Sequence, residues 1–312
     1  MNAIDEKLGH KLSDFAFRSY ISAAKLLPFE ARINLAGWMT TNVVAPLTGN
    51  RKRIRENLTY VMPELSHKER EAIVKQAPES MGRILMEIYS GKEFLDRIAK
   101  APVTGPGYAV IEKAHKEGKG ALLVTGHIGN YLAVLGTLLS RGIPSGSLYK
   151  SMSNTQFNDH YVDALTHFSS PMFARGRRGM ADMIRHLRAG GFVGIAHDQR
   201  MNDAPLYDFM GKPAHTAEST AGLALKYGID VVPCYGIRQP DGSYEIQTEA
   251  PIAHTNVQDM TQALNDSLDA KVRAYPGQWM WTHNRWHDFT GGLAASGAEE
   301  NSKSQDESVN DV

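Results

Sequence analysis

Residues 121–125, Ala-Leu-Leu-Val-Thr, form an uncharged run preceded by Gly118 and Gly120 and followed by Gly126. So short an apolar run between glycines predicts a buried strand. Gly126-His127-Ile128-Gly129-Asn130 comes next, then an apolar stretch through Leu139, so the reading is strand, glycine-containing turn, helix. The unit recurs down the chain. Strands are expected at 145–149, 171–174, 192–196 and 229–237, with one more at 243–248 after the turn Asp241-Gly242. Helices are expected at 154–168, 178–189, 217–227 and 256–274; in the last, Val257, Met260, Leu264, Leu268 and Val272 share one face. Upstream, Ser66 and Glu69 form a capping box for a helix over 66–90, where Ile73, Ala77, Met81, Ile84, Leu85 and Ile88 recur at helical spacing. Strands alternating with helices imply an α/β fold, a largely parallel central sheet flanked by helices.

The N-terminal segment reads differently. Residues 15–47 mix Phe15, Phe17, Tyr20, Ile21, Leu26, Leu27, Trp38 and Val44 with Arg18, Lys25 and Arg32. That pattern suits amphipathic helices lying on a bilayer, and equally helices packed on the core. No run of 18 apolar residues is present, and the first residues lack the apolar core of a signal peptide. The segments expected are therefore 1–50, membrane-associating helices; 51–293, the main domain; and 294–312, a disordered tail rich in Ser, Glu, Asp and Asn.

Net charge is zero, so composition gives no reason to expect a nucleic-acid partner. Charge is concentrated locally, in Arg51-Lys52-Arg53-Ile54-Arg55 and in Arg175, Arg177 and Arg178. Such clusters attract phosphate, anionic lipid or an acidic carrier protein, or are simply solvated surface. The one cysteine, Cys234, lies in an apolar stretch and reads as a core residue in a reducing, cytoplasmic compartment.

In open α/β sheets, ligands bind beyond the carboxyl ends of the strands. Two predicted strand ends carry ionisable groups there, Thr125-Gly126-His127 and Ala196-His197-Asp198-Gln199-Arg200. A histidine at such an end can take a proton from a hydroxyl near neutral pH. Gly129 and Asn130 begin the next helix, whose N–H groups suit a phosphate or an oxyanion, although Asn130 also suits a simple cap.

The segment from Gly126 to Tyr131 resembles the H-x-G-N-W block of the lipid A biosynthesis lauroyl/myristoyl acyltransferase family. Four further blocks follow that family's order: Asn57-Leu58 with Pro63-Glu64-Leu65-Ser66; Ile195 to Arg200; Phe209 to Ala214 with Thr216; and Pro276 to Trp286. They span roughly residues 50–287. The resemblance implies attack of a lipid hydroxyl on an acyl thioester carried by acyl carrier protein or CoA, with His127 as base and no metal or redox cofactor. Substrate contacts are expected from Gly129, Asn130, Lys150, Gln199 and Arg200 and from Arg177 of the basic cluster; Phe209 and Gly211 are expected to shape a loop over the acyl chain, and Arg285 to bind a headgroup or simply stack on aromatic rings. The resemblance also implies a peripheral protein on the cytoplasmic face of the inner membrane. Trp279, Trp281 and Trp286 are expected in an acyl groove, at the bilayer interface or in the core.

Two departures stand out. The family's acid five residues after the histidine is here Leu132, which cannot accept the ring N–H. Asp198 is the expected replacement and Glu218 the next candidate. The family's Tyr-Arg is here Tyr149-Lys150, which keeps the charge and loses the bidentate fork. The acceptor expected is a lipid A precursor or a smaller lyso-aminolipid bearing a 3-hydroxyacyl amide. The alternative is a catalytically silent relative that binds lipid or acyl carrier. An α/β-hydrolase is disfavoured, because no G-x-S-x-G elbow is present.

Overall fold

A computed structural model describes residues 3–152 and 154–286. The tail expected at 294–312 lies outside the described residues. The chain opens with helices α1 (Ala3–Ala24), α2 (Phe29–Met39), α3 (Ala45–Leu47), α4 (Asn50–Val61), α5 (His67–Tyr89) and α6 (Lys92–Ile98). The alternating part follows: β1 (Val103–Thr104), α7 (Gly107–Lys116), β2 (Ala121–Thr125), α8 (Tyr131–Ser140), β3 (Ser145–Tyr149), α9 (Thr155–Thr166), β4 (Met172–Ala174), α10 (Arg177–Arg188) and β5 (Phe192–Ala196). It ends with β6 (Leu206–Phe209), β7 (Lys212–His215), α11 (Ser219–Tyr227), β8 (Asp230–Arg238), β9 (Tyr244–Thr248) and α12 (Val257–Ala274).

Seven strands make one sheet in the order β1-β9-β8-β2-β5-β3-β4. Strands β8, β2, β5, β3 and β4 run parallel to one another, and β9 returns antiparallel to β8 across the Asp241-Gly242 turn. The mostly parallel α/β architecture matches the expectation. Strand β2 sits centrally and all five of its residues are buried. Because side chains alternate along a strand, its residues divide between two cores. Leu122 and Val124 pack with α10, α11 and α12, while Leu123 packs with α2 and α5 to α9.

The N-terminal helices pack one set of apolar side chains on the core and leave another exposed. Ile21, Ala24, Phe29, Ile33 and Ala36 join the core. Phe15, Leu26, Trp38 and Leu47 stay exposed at 71%, 88%, 58% and 81%. No helix among the described residues is long and apolar enough to cross a membrane. The neighbouring basic run is largely engaged locally: Arg51 donates to the Thr41 carbonyl at 2.6 Å, Arg53 to the Thr282 carbonyl at 3.3 Å, and Arg55 pairs with Glu71.

One element differs from the sequence reading. The segment expected as a loop around Phe209 and Gly211 is an antiparallel hairpin, β6 with β7. Its two turn residues, Met210 and Gly211, have φ of +59° and +75°. Positive φ at both positions is what a two-residue hairpin turn requires, and glycine makes it easy at the second.

Candidate active site

Strands β2 and β5 pair in parallel register with Thr125 opposite Ala196. The residues that leave the two strands, Gly126-His127 and His197-Asp198, therefore emerge side by side at one edge of the sheet. Asp198 is 3% exposed and accepts three hydrogen bonds. The His127 ring Nδ1 lies 2.7 Å from Oδ1; the His127 backbone N–H donates to Oδ2 at 2.7 Å, and the Trp279 indole N–H to Oδ2 at 2.9 Å. An ionised carboxylate only accepts, so Nδ1 carries the proton and Nε2 keeps its lone pair. Burial alone would raise the Asp198 pKa, but the His127 charge and the three donors hold it well below the usual carboxylate range. For His127, burial pulls the pKa down; the Asp198 charge and hydrogen bond outweigh it, leaving the value above 6.5.

The turn that presents His127 is braced by the C-terminal block. Gly129 N–H donates to the Gln278 carbonyl and Met280 N–H to the His127 carbonyl, both at 3.0 Å. Gly129 has φ +52°, and a Cβ there would stand 2.0 Å from the Gly236 carbonyl oxygen, so only glycine fits this approach. Asn130 is fully buried and caps α8 by accepting from the Leu132 N–H at 3.0 Å. Its amide also donates to Glu87 at 2.9 Å, and Glu87 is held in turn by Arg238 at 2.6 Å and the Tyr244 hydroxyl at 2.7 Å.

His127 lines a cavity of about 280 Å³ between the sheet and helices α8 and α9. Leu123, Leu132, Leu135, Leu165 and Met172 make its interior apolar, and the exposed Lys150 and Arg175 are among its lining residues. A base with a fixed tautomer beside an apolar cavity can remove a proton from a hydroxyl next to a hydrocarbon chain. The bacterial lipid A biosynthesis acyltransferase family matches residues 11–288, most of the chain. The chain belongs to that family. Among similar proteins is a lipid A biosynthesis acyltransferase of Haemophilus influenzae, 24% identical over 267 residues, covering 82% of this chain and 81% of that one. Another is the lipid A biosynthesis lauroyltransferase of Escherichia coli, 25% identical over 244 residues, covering 75% and 78%. The protein is thus an acyltransferase.

Of the acyltransferase residues singled out in the sequence, His127, Lys150 and Gln199 line the cavity, and Asp198 lies against His127. Gly129 and Asn130 brace the histidine turn instead. Arg200 donates its backbone N–H to His283 at 2.8 Å. Arg177 is exposed at the start of α10 and does not line the cavity; its neighbour Arg175 does, donating to the Met201 sulfur. Phe209 is 1% exposed and packs with Trp279 and Trp286, while Gly211 turns the hairpin. Arg285, also 1% exposed, donates to the His215 carbonyl and to Thr216 Oγ1 at 2.7 Å, tying the hairpin down. Glu218 accepts from the Tyr207 hydroxyl rather than meeting His127. The three tryptophans are core residues, at most 1% exposed.

Sequence reasoning missed Trp279 as a ligand of Asp198, Glu87 as the anchor of Asn130, and Tyr131 with Tyr161 beside the histidine. The Tyr131 ring meets His127 edge-on at 5.4 Å, and its hydroxyl lies 3.2 Å from that of Tyr161. The only available signal was for Tyr131, which stands where the family block carries tryptophan. His197 and His283 are held neutral, with pKa values near 4, chiefly by burial.

Proposed function

We propose that this acyltransferase moves a fatty acyl group from an acyl thioester, on acyl carrier protein or CoA, to a hydroxyl of a membrane lipid. The observation that carries the reading is the His127–Asp198 pair at an apolar cavity. The acceptor hydroxyl gives its proton to His127 Nε2 as its oxygen attacks the thioester carbonyl. The C–O bond forms, the tetrahedral intermediate collapses, the C–S bond breaks, and the imidazolium returns the proton to the leaving thiolate. Asp198 keeps the ring in the productive tautomer and stabilises its transient charge. Because Asp198 supplies the partner that Leu132 cannot, the silent-relative reading loses the observation that motivated it.

The acceptor best supported is a lipid A precursor, given the names of the Haemophilus influenzae and Escherichia coli relatives. A lyso-aminolipid bearing a 3-hydroxyacyl amide is the second reading, favoured by Lys150, which lacks the bidentate fork suited to phosphate. The exposed apolar side chains Phe15, Leu26, Trp38 and Leu47 support peripheral attachment to a membrane, which we place on the cytoplasmic face of the inner membrane. They also support residues 1–50 as the membrane-associating segment ahead of an acyltransferase domain over 51–293.

Purified protein offered labelled acyl-carrier and acyl-CoA donors, with each acceptor in turn, tests the reaction. Lipid profiling of a deletion strain names the acceptor by the acylated lipid that disappears. Equal transfer by His127→Ala and the unmodified protein would refute the mechanism.

A further inference from the structure

A second cavity, of about 190 Å³, lies between α1, α5 and α9. Helix α9 separates it from the catalytic one. His160, Asp163, Ala164 and the following His167 recur at helical spacing and line the second cavity, whereas Tyr161 and Leu165 on the adjoining face line the first. The floor of the second cavity is apolar and fixed. Ile21 and Ile88 are buried there. His160 is held at both ring nitrogens, Nε2 by Asp14 and Nδ1 by the Tyr89 hydroxyl, each at 2.8 Å.

The walls carry charge of both signs. Arg18 stands on α1, and Lys25, whose N–H still bonds to the Ile21 carbonyl, follows two turns later, about 10 Å along the axis. Asp163 stands opposite, on α9. Among the described residues, none of these three side chains has a hydrogen bond or an ion pair. They line one space without meeting. His167 adds an acceptor beside Asp163. Its Nδ1 lies 3.3 Å from the Ala164 carbonyl, which can only accept, so Nδ1 carries the proton and Nε2 a lone pair. The α1 wall thus offers donors to an anion, and the α9 wall offers acceptors to a cation that has N–H groups.

The volume equals that of about six water molecules, the scale of one lipid headgroup. The neighbouring side chains indicate where such a group comes from. Phe15 precedes Arg18 by one turn, Leu26 follows Lys25 directly, and both are exposed. A helix that inserts these two residues brings the cavity to the level of the headgroups. We infer that the cavity between α1 and α9 recognises the phosphoethanolamine headgroup of a membrane phospholipid, with the phosphate held by Arg18 and Lys25 and the ammonium by Asp163 and His167. Phosphoglycerol has no ammonium for Asp163, and phosphocholine has no N–H to give. The inference deepens the peripheral-attachment reading and rests on it.

Soluble headgroup fragments test the site without a bilayer. Glycerophosphoethanolamine, glycerophosphocholine, glycerophosphoglycerol and inorganic phosphate are titrated by NMR against the full chain, Asp163→Asn, and Arg18→Gln with Lys25→Gln. All three positions are exposed, and circular dichroism is the folding control. In the unmodified protein the ethanolamine fragment binds roughly threefold to tenfold tighter than the choline fragment, the scale of one charge-assisted hydrogen bond at an exposed site. Asp163→Asn brings the two to parity, and the double variant weakens both. Equal binding of these two fragments, a preference that survives Asp163→Asn, or binding of phosphoglycerol or inorganic phosphate as tight as that of the ethanolamine fragment overturns the site; so does no binding at all. Sedimentation with vesicles of phosphatidylcholine, alone and mixed with phosphatidylethanolamine, supplies the second arm. Ethanolamine lipid raises binding of the unmodified protein and not of Asp163→Asn. If the fragments discriminate but no protein sediments with either vesicle, the attachment reading fails and the headgroup site stands. If the protein sediments equally with both vesicles and the fragments do not discriminate, the site fails and attachment stands.

Discussion

Replacing Asp198 with asparagine changes one oxygen for an amide nitrogen, and the structure dictates which way the amide must face. Two N–H groups, from the His127 backbone and the Trp279 indole, converge on Oδ2. Turning the new NH2 toward them would leave two buried donors unmade, at about 1–3 kcal/mol each. Turning the amide oxygen toward them keeps both bonds and directs the NH2 at His127 Nδ1 instead. That nitrogen must then accept, so the ring proton moves to Nε2, the atom that has to take the substrate proton. The fold survives and the base is disabled. General-base catalysis supplies roughly 100- to 10,000-fold, and the loss in kcat for Asp198→Asn falls in that range. KM for the acyl donor changes little, because the carboxylate does not line the cavity. The pH profile adds an independent sign. His127 must be neutral to act, and its pKa lies above 6.5 because Asp198 outweighs burial. Activity of the unmodified enzyme therefore rises with pH through a midpoint above 6.5. Without the carboxylate charge only burial remains, and the residual activity of Asp198→Asn rises through a lower midpoint. Initial rates across pH, with circular dichroism as the folding control, check both. More than half the activity, or an unmoved midpoint, would refute the assignment of Asp198.

Three further outcomes are expected. Leu132→Glu alone lowers the melting temperature and the rate, since Leu132 is 1% exposed and a second carboxylate would enter the apolar cavity; in the Asp198→Asn background it restores part of the activity, read as a double-mutant cycle. Trp38→Glu with Leu47→Glu weakens sedimentation with anionic vesicles more than charge reversal at Arg51, Arg53 and Arg55, because those arginines are already engaged by Thr41, Thr282 and Glu71. Burial, helped by the Arg285 charge, depresses the His197 pKa to about 4, so its contribution to stability is complete above pH ~6.5 and is lost as pH falls through 4. His197→Gln removes about 3 kcal/mol of that pH dependence, seen as a flatter denaturation midpoint between those values.

The strands and helices around the site were readable because each is long enough to show its period. Strand β2 announces itself by four apolar residues and a threonine between glycines, and α12 by five apolar residues on one face. The meeting of His127 with Asp198 was readable too, since parallel neighbours end at one edge and each strand delivers its next residues there. The hairpin was not readable. Its strands are four residues long, one contains Pro213, and its stability comes from Arg285 and Trp286, some 70 residues further on. The same distance hides Trp279, whose bond to Asp198 spans 81 residues and exists only because the C-terminal block crosses the histidine turn. Sequence blocks also mislead about role. Arg285 and Phe209 stand in motifs that suggest substrate contact, yet both are 1% exposed and pack the hairpin against the tryptophans. Arg285 gives Nη1 to the His215 carbonyl and Nη2 to Thr216, so its guanidinium ties the hairpin to the C-terminal block. What a motif records here is the bracing that keeps His127 in place. The His127 ring meets its carboxylate at Asp198, on the end of the adjacent strand, and not at position 132.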